Sequence, residues 1–400
     1  MDKHCELTSI PSQPNFTAVK TEINNMKQLI TLFFLSFFLC GVNAQPLHKV
    51  VVEEFTGIWC GDCPQGRNGV EHLKSKFGDS VICIGVHSKD CLAGIYSNTL
   101  TDSSGVTEFP LAFVDRFSYK PGGGVFQIMG ADSSDWDAAV SARLRTPTSV
   151  VLHLNPDYDS STHSFSLGIK AEFTAEEYGP LRFHCLLVED SVQTDRQQVN
   201  YHNNDGSSRW YHKGNPISHY IQRDVMRLNL SDLYGDAIIL PEKVGEGSDF
   251  ERFYCGVIPE GWSDKHLKVV GFISNWGESS HLDTSHFSIL NAAVTDLRHT
   301  QTPGSEESGK IALEVPFPNP FRLFTSIPVN LPDDLPLRVV IQNSLGQEVR
   351  VLQEGYTTRG SHCYYWDGIT AKNQLAANGF YLCKITTPQA VLSYSIVLNR

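Results

Sequence analysis

Apolar and polar residues change period along this chain, and the changes mark out its parts. The run Val50-Val51-Val52-Glu53-Glu54-Phe55 is rich in β-branched residues and predicts a strand. After Pro64, the apolar positions Val70, Leu73 and Phe77 recur at helical spacing, and Gly78 follows where a helix end favours a positive φ; a helix of about four turns is expected. A second strand is expected over Val81 to Val86. Asp135 stands where it can cap a further helix carrying Trp136, Ala139, Val140 and Leu144, which Pro147 closes.

From residue 149 the signal is one of short strands: Val150 to Leu154, Phe165 to Phe173, Arg182 to Val188, Phe250 to Ile258, His266 to Asn275 and Phe287 to Val294. Turn residues separate them, which predicts a β-sandwich over 149–299. The stretch from Ser191 to Tyr234 interrupts this pattern and holds His202, Trp210, Tyr211, His212, His219 and Tyr220. Its histidine spacings define no metal site, and an ordered cover over one sheet is the expectation. Polar Thr300 to Gly309 reads as a linker, placed at 300–310. Beyond it, β-branched and aromatic strands separated by Gly346, Gly368 and Gly379 predict a smaller sandwich over 311–400. The expected fold class is multi-domain α/β plus all-β, with units at 46–148, 149–299 and 311–400.

One apolar run stands apart from the strands. Met26-Lys27 leads into Leu29 to Cys40, and Val42-Asn43-Ala44 fits a small-residue cleavage site. The run is shorter than the roughly 20 residues of a spanning helix, so it reads as a secretory signal within an N-terminal extension over 1–44. Translation is expected to begin at Met26 and the mature chain at Gln45. The bulky Phe37-Phe38-Leu39 before Cys40 does not suit a lipidation box. No other run is long enough to cross a bilayer.

Composition agrees with an exported chain of two or three domains. The 400 residues are 41% hydrophobic, enough for sizeable cores, and the net charge of -12 argues against nucleic acid or anionic membrane as a general partner. Beyond residue 44 the chain keeps eight of its ten cysteines, an even number suited to an oxidising compartment. Cys185 and Cys255 fall in separate expected strands, and a cross-strand disulfide between them is one expectation.

The candidate chemistry sits in Trp59-Cys60-Gly61-Asp62-Cys63-Pro64, between the first strand and the first helix. Two cysteines three positions apart in a first helical turn can close a small disulfide. Unpaired backbone N–H groups and the positive dipole end then favour a thiolate on the first sulfur, Cys60. Pro64 suits a first turn, where its missing N–H has no partner to lose. A buried structural disulfide or half of a zinc site could use the same spacing. Zinc wants four ligands, and no second such cysteine pair exists here. Cys83, His87 and Cys91 lie four apart but straddle a strand and a loop, and read as a core cysteine followed by loop residues. No metal or cofactor is expected.

Val50 to Pro64, followed by Glu108-Phe109-Pro110-Leu111-Ala112-Phe113-Val114, resembles a thioredoxin fold, in which a cis proline faces the dithiol just before a strand. Pro110 matches that proline. More narrowly, Glu53-Glu54-Phe55-Thr56-Gly57, the Cys-Pro junction and Gly85-Val86-His87 resemble the Omp28-related proteins of Gram-negative bacteria, over roughly residues 46 to 300 and most strongly in the first hundred of them. The resemblance implies Cys60 as nucleophile, Cys63 as resolving cysteine and Glu54 as a buried acid that relays a proton to the resolving thiol. Val50, Val52 and Glu54 share one strand face, so the carboxylate would point into an apolar layer that raises its pKa. The alternative is a solvated Glu at the strand end. Asp62 and the bulky Phe109 depart from the thioredoxin pattern; an acid between the cysteines opposes thiolate formation and leaves the direction of electron flow open.

The last ninety residues carry a second resemblance. Pro318-Asn319-Pro320-Phe321, Arg338 to Ile341, Leu345 to Val349, Gly360-Ser361-His362, Trp366-Asp367-Gly368, Asn378 to Leu382 and the terminal Asn399-Arg400 form an ordered series similar to the type A C-terminal sorting domain of the type IX secretion system. That resemblance implies the type IX secretion machinery as partner and a secreted or cell-surface, outer-membrane-associated location, with the periplasm as the alternative. An Ig-like module that only packs on its neighbour is the other reading. Two functions of different class follow: a thiol-disulfide oxidoreductase acting on disulfide-containing protein substrates, or a surface binding or adhesion protein whose cysteine pair is structural. The first needs the Cys60 sulfur reachable and opposite Pro110.

Overall fold

Every residue of β1 (Val50–Thr56) is buried, and the rest of the first unit is arranged around it. The computed structural model describes residues 46–117, 128–129, 133–237, 243–275, 288–298, 312–313 and 316–400. The expected leader over 1–44 and linker over 300–310 lie outside these. β1 runs parallel to β2 (Val81–His87), with Val50 opposite Val81 and Thr56 opposite His87. A parallel pair needs a crossover, and α1 (Cys63–Phe77) supplies it, ending at Gly78 with φ 55°. On the other side of β1 lies antiparallel β3 (Leu111–Val114), and β4 (Ile128–Met129) pairs with β3. α1 and α3 (Ser133–Leu144) cover one face through Val70, Leu73, Trp136 and Val140 packed on Val50, Val52 and Val114. The opposite face carries Val51, Phe55 and Ile84 against Leu100 of α2 (Ile95–Ser103).

The long strands of the middle region form two sheets: β5 (Val150–Asp159) and β6 (Ser164–Phe173) in one, and β8 (Leu181–Glu189) in the other. The short β7 (Glu177–Tyr178) precedes β8, and β9 (Val192–Gln193) pairs with β10 (Ile221–Gln222) across a long excursion. β11 (Val225–Asn229) and β12 (Asp236–Ala237) pair with β8, and β13 (Lys243–Val244) pairs with β7. β14 (Asp249–Val257) joins β6 and β5, while β15 (Leu267–Asn275) and β16 (Ile289–Asp296) extend β8.

A sandwich is therefore present over 149–299, but it does not stand apart from the first unit. β11 lies parallel to β2, with Val225 opposite Gly85, so one continuous sheet runs β16-β15-β8-β11-β2-β1-β3-β4. The expected units 46–148 and 149–299 therefore share one sheet: the second layer of the sandwich is the far half of the first sheet. The physical reason is burial on both faces. Cys185 and Leu187 of β8 point into the core shared with Leu154, Ile169 and Phe173, while Leu186 and Val188 point into the core shared with Val51 and Phe55. β11 also lies inside the stretch expected to be a cover.

The C-terminal unit is two small sheets. β17 (Ala312–Leu313), β18 (Thr325–Leu331) and β21 (Gly360–Trp366) form one; β20 (Glu348–Thr357), β19 (Leu335–Asn343), β22 (Gly379–Thr386) and β23 (Val391–Leu398) form the other. Ile327, Val339, Ile341, Ile385 and Ile396 fill the space between them around Trp366, whose indole donates to Ile369 O at 3.0 Å. Gly346 and Gly368 hold positive φ at turns, and Gly379 does so at the start of β22.

This unit is fastened to the middle sheet. Cys255 of β14 is disulfide-bonded to Cys363 of β21, 108 residues away. Phe324 reaches into the middle core and lies against Gly256, where a Cβ would meet its ring at 2.1 Å, and Ser326 donates to Cys255 O. The expected Cys185–Cys255 bridge is thus overturned. Tyr254 is the inward member of β14 at that point, so alternation turns Cys255 outward, away from Cys185 in the inner core. Cys185 is a free thiol pushed well above its ordinary pKa by burial.

Non-reducing peptide mapping should recover Cys60–Cys63 and Cys255–Cys363 as linked peptides, and a Cys185–Cys255 peptide would contradict the arrangement. Because the second bridge closes a long loop, Cys363→Ser should lower unfolding stability by about 2–5 kcal/mol, read from denaturant titrations.

Candidate redox site

β1 ends at Thr56 and the chain turns sharply, Cys60 N donating to Gly57 O at 3.1 Å, before α1 begins. Asp62 caps the helix with its carbonyl, which accepts from Gln65 N at 2.9 Å and Gly66 N at 3.3 Å, and not with its side chain. Cys60 and Cys63 form a disulfide across this first turn. Cys63 N, a first-turn donor with no helical partner, points at Cys60 Sγ at 3.1 Å. In the reduced pair that donor stabilises negative charge on Cys60.

The peptide bond Phe109–Pro110 is cis, as the resemblance implies. Pro110 and Glu54 both lie on Gly66, one turn after Cys63. A Cβ at residue 66 would meet Pro110 Cβ at 2.6 Å and Glu54 Oε1 at 3.1 Å, so the close approach of α1 depends on glycine there. The Trp59 and Phe109 rings meet edge to face at 5.0 Å, bringing the two loops together on one side of the pair. Sequence-expected Cys60, Cys63, Glu54 and Pro110 are therefore gathered at one end of β1 and α1.

Glu54 is buried, on the face of β1 that meets α1, and is not the solvated strand-end residue of the alternative reading. Its pKa is raised to about 7: burial drives it up, Arg67 draws it back down, and the Asp224 carboxylate raises it again. Arg67 Nη1 is 3.7 Å from Glu54 Oε2, but Arg67 Nη2 donates to Asp224 Oδ2 at 2.7 Å. Lys74 Nζ reaches both Asp224 oxygens at 2.6 Å. Burial alone would raise the Asp224 carboxyl, yet these two cations hold it low. Arg67 thus gives most of its charge to Asp224, and Glu54 Oε1 is left buried with no hydrogen-bond partner among the described residues. Near neutral pH that carboxyl is therefore poised between its protonated and charged forms.

Arg67, Lys74 and Asp224 did not figure among the expected site residues. Arg67 and Lys74 are seven apart and share a face of α1, a usable signal. Asp224 comes from the far end of the 191–234 stretch and carries none. Cys83, beside this cluster, is a buried free thiol pushed up to about 12 by burial and the Asp224 charge. His87 is the last residue of β2 and bonds Asp90 Oδ2 at 2.7 Å, while Cys91 is exposed. Their sequence spacing reflects no shared site.

The 191–234 stretch does more than cover a sheet, since residues 198–210 lie directly on the cysteine turn. Gln198 Nε2 donates to Cys60 O at 2.9 Å and Gly57 O at 3.3 Å. Val199 N donates to Ile58 O at 2.9 Å and Tyr201 N to Gly61 O at 3.0 Å. Trp210 Nε1 donates to Pro64 O at 2.7 Å. His202 Nε2 stands 3.3 Å from Asp62 Oδ1, the acid between the cysteines. Under this strap Cys60 is 5% exposed and Cys63 3%. The freely reachable sulfur that the sequence reading requires is therefore not present; the pair is covered by the chain's own residues.

Residues 97–291 match the family model described as outer membrane protein Omp28, and residues 325–390 match the FlgD Ig-like domain. The first match opens inside α2, beyond the cysteine pair, and covers most of the expected span of roughly 46 to 300 but not its first fifty residues. Pro110, Asp224 and the strap lie within the matched span. No curated protein matches the chain. HBP35 of Porphyromonas gingivalis is similar at 17% identity and a TM-score of 0.49, over 88% of this chain and 98% of that one. An Agrobacterium tumefaciens protein is similar at 14% identity and 0.41, over 66% and 100%. A domain of the outer membrane lipoprotein Omp28 from P. gingivalis is similar at 9% identity and 0.22, over 38% and 92%. The chain carries an Omp28-like middle segment and an Ig-like C-terminal unit, and no helix among the described residues is long and apolar enough to cross a membrane.

Glu54 keeps its proton in the folded protein up to about pH 7, whereas an unfolded chain releases it near 4.5. The folded state binds the extra proton between those values, so stability falls as pH rises through that window, by roughly 3 kcal/mol if this group acted alone. Denaturant midpoints measured at pH 5 and pH 8 should differ less in Glu54→Gln than in the wild type; an unchanged difference would remove Glu54 as its source.

Proposed function

We propose that the chain is an exported, cell-surface or outer-membrane-associated protein with a thiol-disulfide exchange site at Cys60–Cys63, set in a thioredoxin-like unit over 46–148. The observation that carries this reading is Glu54, a buried carboxyl with an unpartnered oxygen and a pKa near 7, packed beside the cysteine turn and the cis proline. A bridge kept only for stability has no use for such a group, which costs folding free energy at neutral pH. The order of parallel β2 and β1, antiparallel β3 and β4, and helices on both faces also supports the thioredoxin-like assignment.

In the reduced form, Cys60 thiolate attacks one sulfur of a disulfide, forming a mixed disulfide and expelling the other sulfur as thiolate. Cys63 gives its proton to the Glu54 carboxylate and its sulfur attacks Cys60 Sγ. The Cys60–Cys63 bond forms, the second substrate thiolate leaves, and two electrons have passed to the substrate. The oxidised pair runs the same steps backward with a dithiol, and Glu54 then returns the proton.

We also propose that residues 311–400 act as a type A sorting domain recognised by the type IX secretion machinery. The ordered motif series and the Ig-like match over 325–390 support it. The second reading of the cysteine pair, a structural bridge in a surface binding protein, draws on the 5% exposure of Cys60.

The reduction potential of the pair separates the two. Exchange chemistry calls for a value above roughly -300 mV and turnover of a test disulfide, and a lower value without turnover indicates a structural bridge. Cys60→Ser should abolish turnover, Cys63→Ser should accumulate mixed disulfide, and Glu54→Gln should slow resolution by about 10²-fold while removing the rate inflection near pH 7. Removing residues 311–400, with Cys255→Ser to avoid a stray thiol, should leave the protein in the periplasm; unchanged surface delivery in fractionation would exclude the sorting role.

A further inference from the structure

A protein disulfide docks by laying its own extended backbone along free main-chain groups of its partner before sulfur can meet sulfur. At this site the carbonyls of the cysteine turn are taken. The carbonyls of Gly57, Ile58, Cys60 and Gly61 all accept from Gln198, Val199 and Tyr201. The Tyr201 ring lies flat on Gly61, where a Cβ would meet it at 2.3 Å. Trp59 and Phe109, the residues before Cys60 and before Pro110, meet edge to face at 5.0 Å.

The strap is held from behind as firmly as in front. Gln222 Nε2 donates to Gln198 Oε1 at 2.9 Å, with both side chains buried. Asn200, fully buried, donates to Trp210 O at 3.1 Å and Gly214 O at 2.9 Å and accepts from His202 N at 3.0 Å. Ile217 N donates to Gln198 O at 2.7 Å. These contacts fix the segment in the position an incoming peptide would need.

We propose that the strap, through Gln198 and Tyr201, determines the specificity of the Cys60–Cys63 site, admitting low-molecular-weight thiols and disulfides and excluding protein disulfides. This rests on the exchange reading above and names its substrate class. A small disulfide such as glutathione disulfide has only a few peptide groups, too short to form an aligned strand, and needs only a path to one sulfur. A folded or extended polypeptide has to displace the strap first, and its rate is scaled by the fraction of molecules in which the strap is open.

The test uses the full-length protein with the pair reduced, and reads second-order rates with glutathione disulfide and with insulin. Tyr201 is 67% exposed, so Tyr201→Ala is tolerated by the fold; Tyr201→Ala/Gln198→Ala also removes the side-chain anchor, and Tyr201→Phe keeps the ring. The wild type and Tyr201→Phe should react with glutathione disulfide and at least about tenfold more slowly with insulin, and the double variant should raise the insulin rate about tenfold with little change for glutathione disulfide. Equal wild-type rates, or variants that change both substrates alike or neither, would overturn the strap's role while leaving exchange intact. No reaction with glutathione disulfide in any form would overturn the exchange site and the strap together.

Discussion

The carboxylate of Asp224, buried between Arg67 and Lys74 of α1, is the contact on which the molecule's two main features depend. It ties a segment from far along the chain to the helix that carries the cysteine pair. Its own carbonyl accepts from Gly85 N at 2.6 Å, and Val225 immediately follows as the first residue of β11 opposite Gly85. The same residue therefore starts the strand that joins the middle sheet to β2 and draws Arg67 away from Glu54. Removing one partner of a buried ion pair leaves an uncompensated charge, so this junction resists change far more than an exposed pair does.

That double role explains why the protein is not a row of separate modules. Since β11 sits beside β2, the core behind β1 continues behind β8 and β15 as Val51, Phe55, Ile84, Leu186, Val188, Val270 and Phe272. The strap departs from the same neighbourhood, between β9 and β10, and its anchor Gln222 is two residues from Asp224. Sheet continuity, the pKa of Glu54 and the cover over Cys60 are consequences of one insertion being locked onto one helix. A change at Asp224 is felt at all three.

Local patterns in the sequence located what local forces determine. The spacing of Val70, Leu73 and Phe77 marks α1 and the Cys-Gly-Asp-Cys turn can close a small disulfide, whereas the cis bond at Phe109-Pro110 is implied by the resemblance and not by a local pattern. What sequence reading misplaced depends on partners far away. β11 is only five residues long and is broken by a bulge between Met226 and Leu228, so it shows no clean alternation. Leu186-Leu187-Val188 and Val269-Val270 are unbroken apolar runs, the mark of strands buried on both faces, but nothing nearby names β2 as the neighbour. The partner of Cys255 could be known only once Tyr254 was known to face inward.

The two disulfides differ in a way that bears on their uses. In the chain-entropy account, a bridge between residues 108 apart removes about 5 kcal/mol of freedom from the unfolded chain, and one between residues three apart only about 2 kcal/mol. Cys255–Cys363 is thus the bond whose loss the fold feels, and it fastens a unit that also meets the middle sheet through Phe324, Ser326 and Tyr365. Cys60–Cys63 constrains a turn that α1 and the Asp62 carbonyl already define, so breaking it gives up little folded structure. A bond that can open without unfolding the protein, beside a carboxyl able to take up or release a proton near neutrality, meets two of the physical conditions of the proposed exchange; the third, access to the sulfur, is set by the strap that covers it.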